Sequence, residues 1–385
     1  MLRINAIELV VLELSLRPVE GALGVFDRRP VVLVRVVTDA IEGWGECAAL
    51  AESAGPDPFA EAIEHRLGAL GIPRLLAAAS ARGGEIDAGA MSRLFSTSSE
   101  DRMVAATLEM ALLDTELRSA GGSLADRLGT AGDPVEVGGL VGIPADRRID
   151  TLIASVSAVL ESGSRRVRVK IAPGWDVQPL RSVRTRFPEL ALQADANGAY
   201  RLSAGGADEA DPRSARRLRE LDDLGLVCVE QPLPAPDLAA HVELRELLDT
   251  PIALDESLAS PRHVEQALRY GACDIACLKP GRLGGLFAAR QAVESCRTAG
   301  VAAFVGGFFE TGLARGANAA LAGLPGFTLP GDLSEPSGYL NSDPFGYPRV
   351  QRGIVTPPSE PGVGALPDPD RLAACTVRSR LFVAG

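Results

Sequence analysis

The sequence predicts an α/β protein built on a (β/α) barrel and preceded by a smaller α+β segment. Three observations carry this. From about residue 135 onward, short β-rich runs alternate with amphipathic stretches of helical period, which marks βαβ units and a parallel sheet. Eight such runs follow one another, their last residues 24 to 35 positions apart, the length of one strand, one helix and two loops. Residues 1–130 read differently, with long alternating strands first and helical segments after them.

In chain order, residues 3–16 and 30–38 alternate apolar and polar side chains and read as strands with one buried face. Between them, EGALGVFDRR (20–29) bears glycines and reads equally as a hairpin connection or as a lid over a site. The eight barrel strands are VEVGGLVGI (135–143), RRVRVKI (165–171), ELALQAD (189–195), GLVCVEQ (225–231), PIALDE (251–256), CDIACLK (273–279), VAAFVGG (301–307) and GFTLP (326–330). The one long interval holds SAGGADEADPRS (203–214), an inserted surface loop by composition. Residues 131–332 then make the barrel, and 333–385 form a tail whose PPSEPGVGALPDPD suits a segment laid across the surface.

A formal charge of −11 and a pI near 5.0 argue against a nucleic-acid or anionic-membrane surface. The N-terminal strand is broken by charge and no run is long enough to span a bilayer, so a cytoplasmic protein is expected. The six cysteines form no CxxC pair and read as buried, reduced thiols, and the three histidines sit far from any motif.

Strand residues two apart share a face, so Arg168 with Lys170, Gln193 with Asp195 and Asn197, and Cys228 with Glu230 point the same way. If that face is the barrel interior, five consecutive strands bring Lys170, Asp195, Glu230, Asp255 and Lys279 to the C-terminal mouth, where barrel active sites lie. Three carboxylates buried together repel one another unless a cation joins them, and an oxygen-only set favours a hard ion, Mg²⁺ before Mn²⁺. The lysines are informative for another reason. Of 39 basic residues only Lys170 and Lys279 are lysine, and the other 37 are arginine. Arginine supplies charge but cannot act as a base, whereas a lysine whose pKa is lowered by a nearby cation and desolvation can. The assembly suits removal of a proton α to a carboxylate, with the metal stabilising the enediolate.

At these residues the chain resembles the enolase superfamily, in the branch of o-succinylbenzoate synthase and N-acylamino acid (N-succinylamino acid) racemase. The matching text is VRVKIAPGWD (167–176), DANGAY (195–200), VEQPL (229–233), LDES (254–257), CLKPGRLGG (277–285) and GGFFETGLARGAN (306–318), with EGWGECAAL (42–50) and EMALLDTEL (109–117) upstream. The resemblance implies metal ligands Asp195, Glu230 and Asp255 and acid/base lysines Lys170 and Lys279. It further implies that Asn197 and Glu256 lie near the metal and that Arg168, Gly307, Glu310 and Thr311 support it or the substrate. It also implies a modified (β/α)7β barrel, an α+β capping domain completed by the C-terminal tail, a small carboxylate substrate and a homo-oligomer. Arg168 stands where relatives commonly carry lysine, which keeps the charge near the substrate carboxylate but alters its geometry.

Two reactions fit the five residues: dehydration by an o-succinylbenzoate synthase of menaquinone biosynthesis, and racemisation of an N-acylamino acid with one lysine on each face. Muconate cycloisomerase and a non-catalytic metal-binding barrel are lesser readings. A dipeptide epimerase would need an acidic pair on the last strand, where only Asp332 stands.

Overall fold

The structure, a computed structural model, describes residues 2–52, 55–81, 83–95, 98–202 and 213–384. Strands β1 (Ala6–Gly21), β2 (Gly24–Val37) and β3 (Glu42–Glu46) pair antiparallel in that order. Alternation sets their faces, for Leu12, Leu14 and Leu16 are buried while Glu13, Ser15 and Arg17 are exposed. Helix α1 (Ser99–Ala120) lies against this sheet, capped by the Ser98 side chain accepting from Asp101 N and ended by left-handed Gly121. The approach is close. A Cβ on Gly45 would come 2.2 Å from the Thr107 carbonyl oxygen, and one on Gly43 2.1 Å from Thr115 Oγ1, which accounts for the glycines of EGWGE.

The second sheet is parallel and curled, with seven strands in chain order: β4 (Gly138–Val141), β5 (Arg166–Lys170), β6 (Ala191–Asp195), β7 (Val229–Glu230), β8 (Ile252–Leu254), β9 (Ile275–Leu278) and β10 (Ala302–Val305). The expected eighth strand, 326–330, is not a regular strand. Its neighbourhood still bonds to both edges, Thr328 N to Ala303 O, Asp332 N to Val305 O and Gly138 N to Gly331 O. Pro330 has no N–H to give and cannot sustain a ladder there. Other strands are shorter than expected for local reasons; β7 stops at Glu230 because Gln231 takes a φ of 39°. The C-terminal strand β11 (Thr376–Val383) pairs with β1, joining the tail to the N-terminal sheet. The loop read at 203–214 falls, up to residue 212, outside the described residues. The cysteines are free, five of them buried. No described helix is long and apolar enough to cross a membrane.

Carboxylates of the N-terminal part plug the helix N-termini of the barrel, where unpaired N–H groups collect. Helix α2 (Pro280–Leu283) leads into α3 (Leu286–Ala299), and Glu109 of α1 accepts from the amides of Leu286 at 2.5 Å and Phe287 at 3.3 Å. Glu46 of β3 accepts from Thr311 N, Thr311 Oγ1 and Ala314 N at the start of α4 (Gly312–Ala322). Burial pushes the Glu109 carboxyl up from 4.5 to about 8, against the pull of its two amides. The folded state therefore holds this proton more tightly than the unfolded chain. That stability is fully present below pH 4.5 and is lost as pH rises through about 8. Glu109→Gln cannot ionise, so denaturant titrations should find it gaining on the parent by about 2–4 kcal/mol between pH 5 and pH 9.

Candidate active site

The hydrogen-bond register sets the row of candidate side chains: Lys170 stands opposite Asp195, and Asp195 opposite Glu230. Asp255 follows β8 directly and Lys279 follows β9. Each of these side chains leaves the end of its own strand, as the period-two reading required. Lys170 Nζ donates to Asp195 Oδ2 at 2.7 Å and to Asn197 Oδ1 at 2.6 Å. Lys279 Nζ donates to Asp255 Oδ2 at 2.7 Å and lies 4.5 Å from the centre of the Phe308 ring. Asn197, at a φ of 44° that asparagine tolerates, turns the chain after β6 and donates from Nδ2 to Glu256 Oε1 at 2.9 Å.

A cavity of about 640 Å³ opens over this row, and Lys170, Asp195, Asn197, Asp255, Glu256, Lys279 and Gly307 all line it. The tip of the β1–β2 hairpin covers it. Residues 20–29 continue the two strands into a tight turn, Glu20 O accepts from Ile143 N at 2.8 Å, and Arg147 pairs with Glu20 at 2.5 Å. Gly21 sits against Lys170, where a Cβ would come 3.4 Å from Lys170 Cδ.

Glu230 lies beneath the cavity and is fully buried. Arg168 Nη1 donates to both of its oxygens at 3.0 Å, Arg168 Nη2 donates to Asp332 Oδ2 at 2.6 Å, and Gln193 Nε2 also donates to Glu230. Arg168 thus grips two carboxylates. Arg166 Nη2 takes the other oxygen of Asp332 at 3.0 Å. Glu310 and Thr311 do not line the cavity. Phe309, at a φ of 56°, turns the chain away, so Glu310 pairs with Arg315 at 2.8 Å and Thr311 with Glu46.

Sequence reasoning missed four contributors. Gln231 Oε1 accepts from the amides of Asp255 and Ser257, both at 3.0 Å, and fixes the loop that presents Asp255. Arg282 Nη1 donates to Asp255 Oδ1 at 2.5 Å and to Asp255 O at 2.8 Å. Its place three residues past Lys279 in CLKPGRLGG was the available signal, one helical turn on the same side. Asp332 stood in the sequence only as the lone acid of the last strand run, and that position was its signal; Asp57 gave none, being brought in from distant sequence.

Three comparisons with known proteins bear on this geometry. Residues 151–371 match the family described as Enolase C-terminal domain-like, and residues 6–129 match Mandelate racemase / muconate lactonizing enzyme, N-terminal domain. The chain belongs to the enolase superfamily. It is 39% identical over 378 residues to an N-succinylamino acid racemase of Amycolatopsis sp, covering 97% of this chain and 98% of that one. It is 35% identical over 368 residues to an o-succinylbenzoate synthase of Geobacillus kaustophilus, covering 95% and 93%. A solved enolase-superfamily member from Listeria innocua superposes over the full length of both chains with a TM-score of 0.87 at 27% identity.

Enolase-superfamily enzymes use a divalent metal ion, and the donor set here fits one. Ligand atoms of Glu230, Asp255 and Cys277 lie within 4.8 Å of one another. Asp195 lies outside that group, its carboxylate 2.7 Å from Lys170 Nζ and 3.8 Å from Arg168 Nε. Burial and the neighbouring Asp255 and Glu230 charges push the Cys277 thiol up, and the carboxylate oxygens of the group suit a hard cation. Burial, then the Asp255 and Asp195 charges, raise Glu256 to about 7, and among the described residues its Oε2 is buried without a hydrogen-bond partner. Burial, with Asp195 and Asp255, raises Glu230 to about 8 although Arg168 opposes it. Carboxyls this reluctant to ionise are what a cation would relieve.

Burial lowers Lys279, but the Asp255 charge beside it outweighs burial and holds the amine above its ordinary value. Burial raises Asp255 in turn, and Lys279 and Arg282 outweigh that and hold it well below the carboxylate range.

Proposed function

We propose that this chain is a Mg²⁺-dependent enzyme that removes the proton α to a carboxylate. Its main reaction is the o-succinylbenzoate synthase dehydration of menaquinone biosynthesis, and racemisation of N-succinylamino acids is the alternative at the same site. The observation that carries the reading is the placement of the chain's only two lysines. Each lies 2.7 Å from a carboxylate at the end of the adjoining strand, and both line one cavity.

Asp195, Glu230 and Asp255 would hold the ion. Bound there, it supplies positive charge where the substrate carboxylate gathers electron density as its α-proton leaves. Lys170 is the base for dehydration, steadied by Asn197, and Lys279 supplies charge from the other side. In racemisation one lysine takes the proton and the other returns it. When Asp255 turns its charge toward a cation, its pull on Lys279 relaxes and the amine moves toward the range of a general base. Phe26, Phe309 and Tyr339 wall the cavity on the hairpin side and keep water from the reacting carbon.

The relatives support both reactions, since one is named a racemase and another a synthase. Proton NMR in D₂O with Mg²⁺ separates them when the cyclohexadiene precursor of o-succinylbenzoate and a panel of N-succinyl and N-acetyl amino acids are offered side by side. Rapid dehydration is the expected result. Rapid α-deuteration with slow dehydration would make the racemase the main activity, and inactivity on both would remove this substrate class.

A further inference from the structure

The turn that follows Lys279 is held from the N-terminal part of the chain. A Cβ on Gly281 would come 2.4 Å from Ala48 Cβ, and Arg102 Nε donates to Arg282 O at 3.2 Å. The strongest link is Asp57. It takes the Arg282 guanidinium by two bonds, Nε to Oδ1 at 2.8 Å and Nη2 to Oδ2 at 2.6 Å, and both residues are 4% exposed. The remaining nitrogen, Nη1, is the one on Asp255. Arg282 and Lys279 also share the Phe308 ring, at 5.3 Å and 4.5 Å. Gly55, two residues before Asp57, covers Glu256 so closely that a Cβ would meet its Cγ at 3.4 Å. Lys170 is held otherwise: the bonds of its amine go to Asp195 and Asn197, both on the barrel.

We propose that Asp57 is a positioning residue for the Lys279 side of the site. It fixes Arg282, and through Arg282 the Asp255 carboxylate and the Lys279 amine, so this half of the site is assembled only while the 55–57 segment is docked. A bidentate carboxylate determines both the plane and the reach of a guanidinium. With Asp57 in place, Arg282 divides its charge between two carboxylates. Without it, the whole charge falls on Asp255, displacing the amine from its partner and opposing a second cation there. The proposal rests on the reading of Lys170 and Lys279 as the acid/base pair.

Asp57→Asn keeps the shape and removes the charge and one acceptor; Asp57→Ser serves if the asparagine variant does not fold. Calorimetric titration of the full chain should find the Mg²⁺ dissociation constant raised about 3- to 10-fold. At saturating Mg²⁺, α-proton exchange of the two enantiomers of an N-succinylamino acid is followed separately in D₂O. The enantiomer served by Lys279 is the one whose exchange Lys279→Arg abolishes. Asp57→Asn should slow that exchange by about tenfold or more in kcat with KM little changed, and leave the other enantiomer within about threefold. Equal slowing of both enantiomers, or of neither, with unchanged Mg²⁺ affinity would overturn the proposal. If the parent enzyme, as a dedicated synthase, exchanges neither enantiomer, the lysine reading stands on its dehydration; if Lys279→Arg leaves both enantiomers exchanging, that reading fails separately. The titration then decides alone, and an unchanged Mg²⁺ affinity sinks the link from Asp57 to Asp255.

Discussion

Lys170→Arg and Lys279→Arg should each lower α-proton exchange of the enantiomer that lysine serves by about 10³-fold while leaving the protein folded. The substitution keeps the positive charge that balances Asp195 or Asp255 and removes only the capacity to give up a proton near neutral pH. Both lysines sit at strand ends facing a cavity, with 14% and 9% of their side-chain surface exposed, so the longer arginine has room on the cavity side. Circular dichroism checks the fold and ¹H NMR in D₂O the exchange. Exchange at the parent rate in both variants would mean that these amines serve only as counter-charges, and the proton-abstraction account would fall.

The second large effect concerns Arg168, whose guanidinium satisfies two buried carboxylates at once. Arg168→Met preserves much of the volume and leaves Glu230 and Asp332 facing each other without the shared cation. The expected cost is about 2–3 kcal/mol of stability, because the buried Glu230 carboxyl, already reluctant to ionise, loses the donor that both its oxygens share. Arg166 still holds Asp332, so the larger share falls on Glu230. Mg²⁺ should restore part of the loss by binding the folded form. Arg168→Lys should lie between parent and Met variant, since a point charge reaches both carboxylates less well than a planar fork. Urea titrations with and without Mg²⁺ measure this, and a Met variant within about 1 kcal/mol of the parent would show that the Arg168 clamp is not a stabilising element.

Much of the site was legible because it is written in strand ends. Lys170, Asp195, Glu230, Asp255 and Lys279 each stand at a fixed point of one βα unit, and period-two alternation alone decides that they face inward. The paucity of lysine singled out two of them. What the sequence could not disclose was made by chain crossings. Asp57 lies 225 residues from Arg282, and Asp332 lies 164 residues from Arg168. No local pattern records such pairings. The eighth barrel position failed for an opposite reason: GFTLP has strand composition, but its proline removes a donor the ladder needs. Glu310 and Thr311 stand in a motif beside Gly307, yet the left-handed turn at Phe309 carries them off to Arg315 and Glu46.

The measurement that tests the central claim most directly is an anomalous difference map from crystals of this protein grown with Mn²⁺ in place of Mg²⁺. The account predicts one peak ligated by Asp195, Glu230 and Asp255, with the amines of Lys170 and Lys279 turned from those carboxylates into the cavity. A peak elsewhere, or ordered Mn²⁺-soaked crystals in which both lysines keep their ion pairs and no metal joins the three carboxylates, would contradict it.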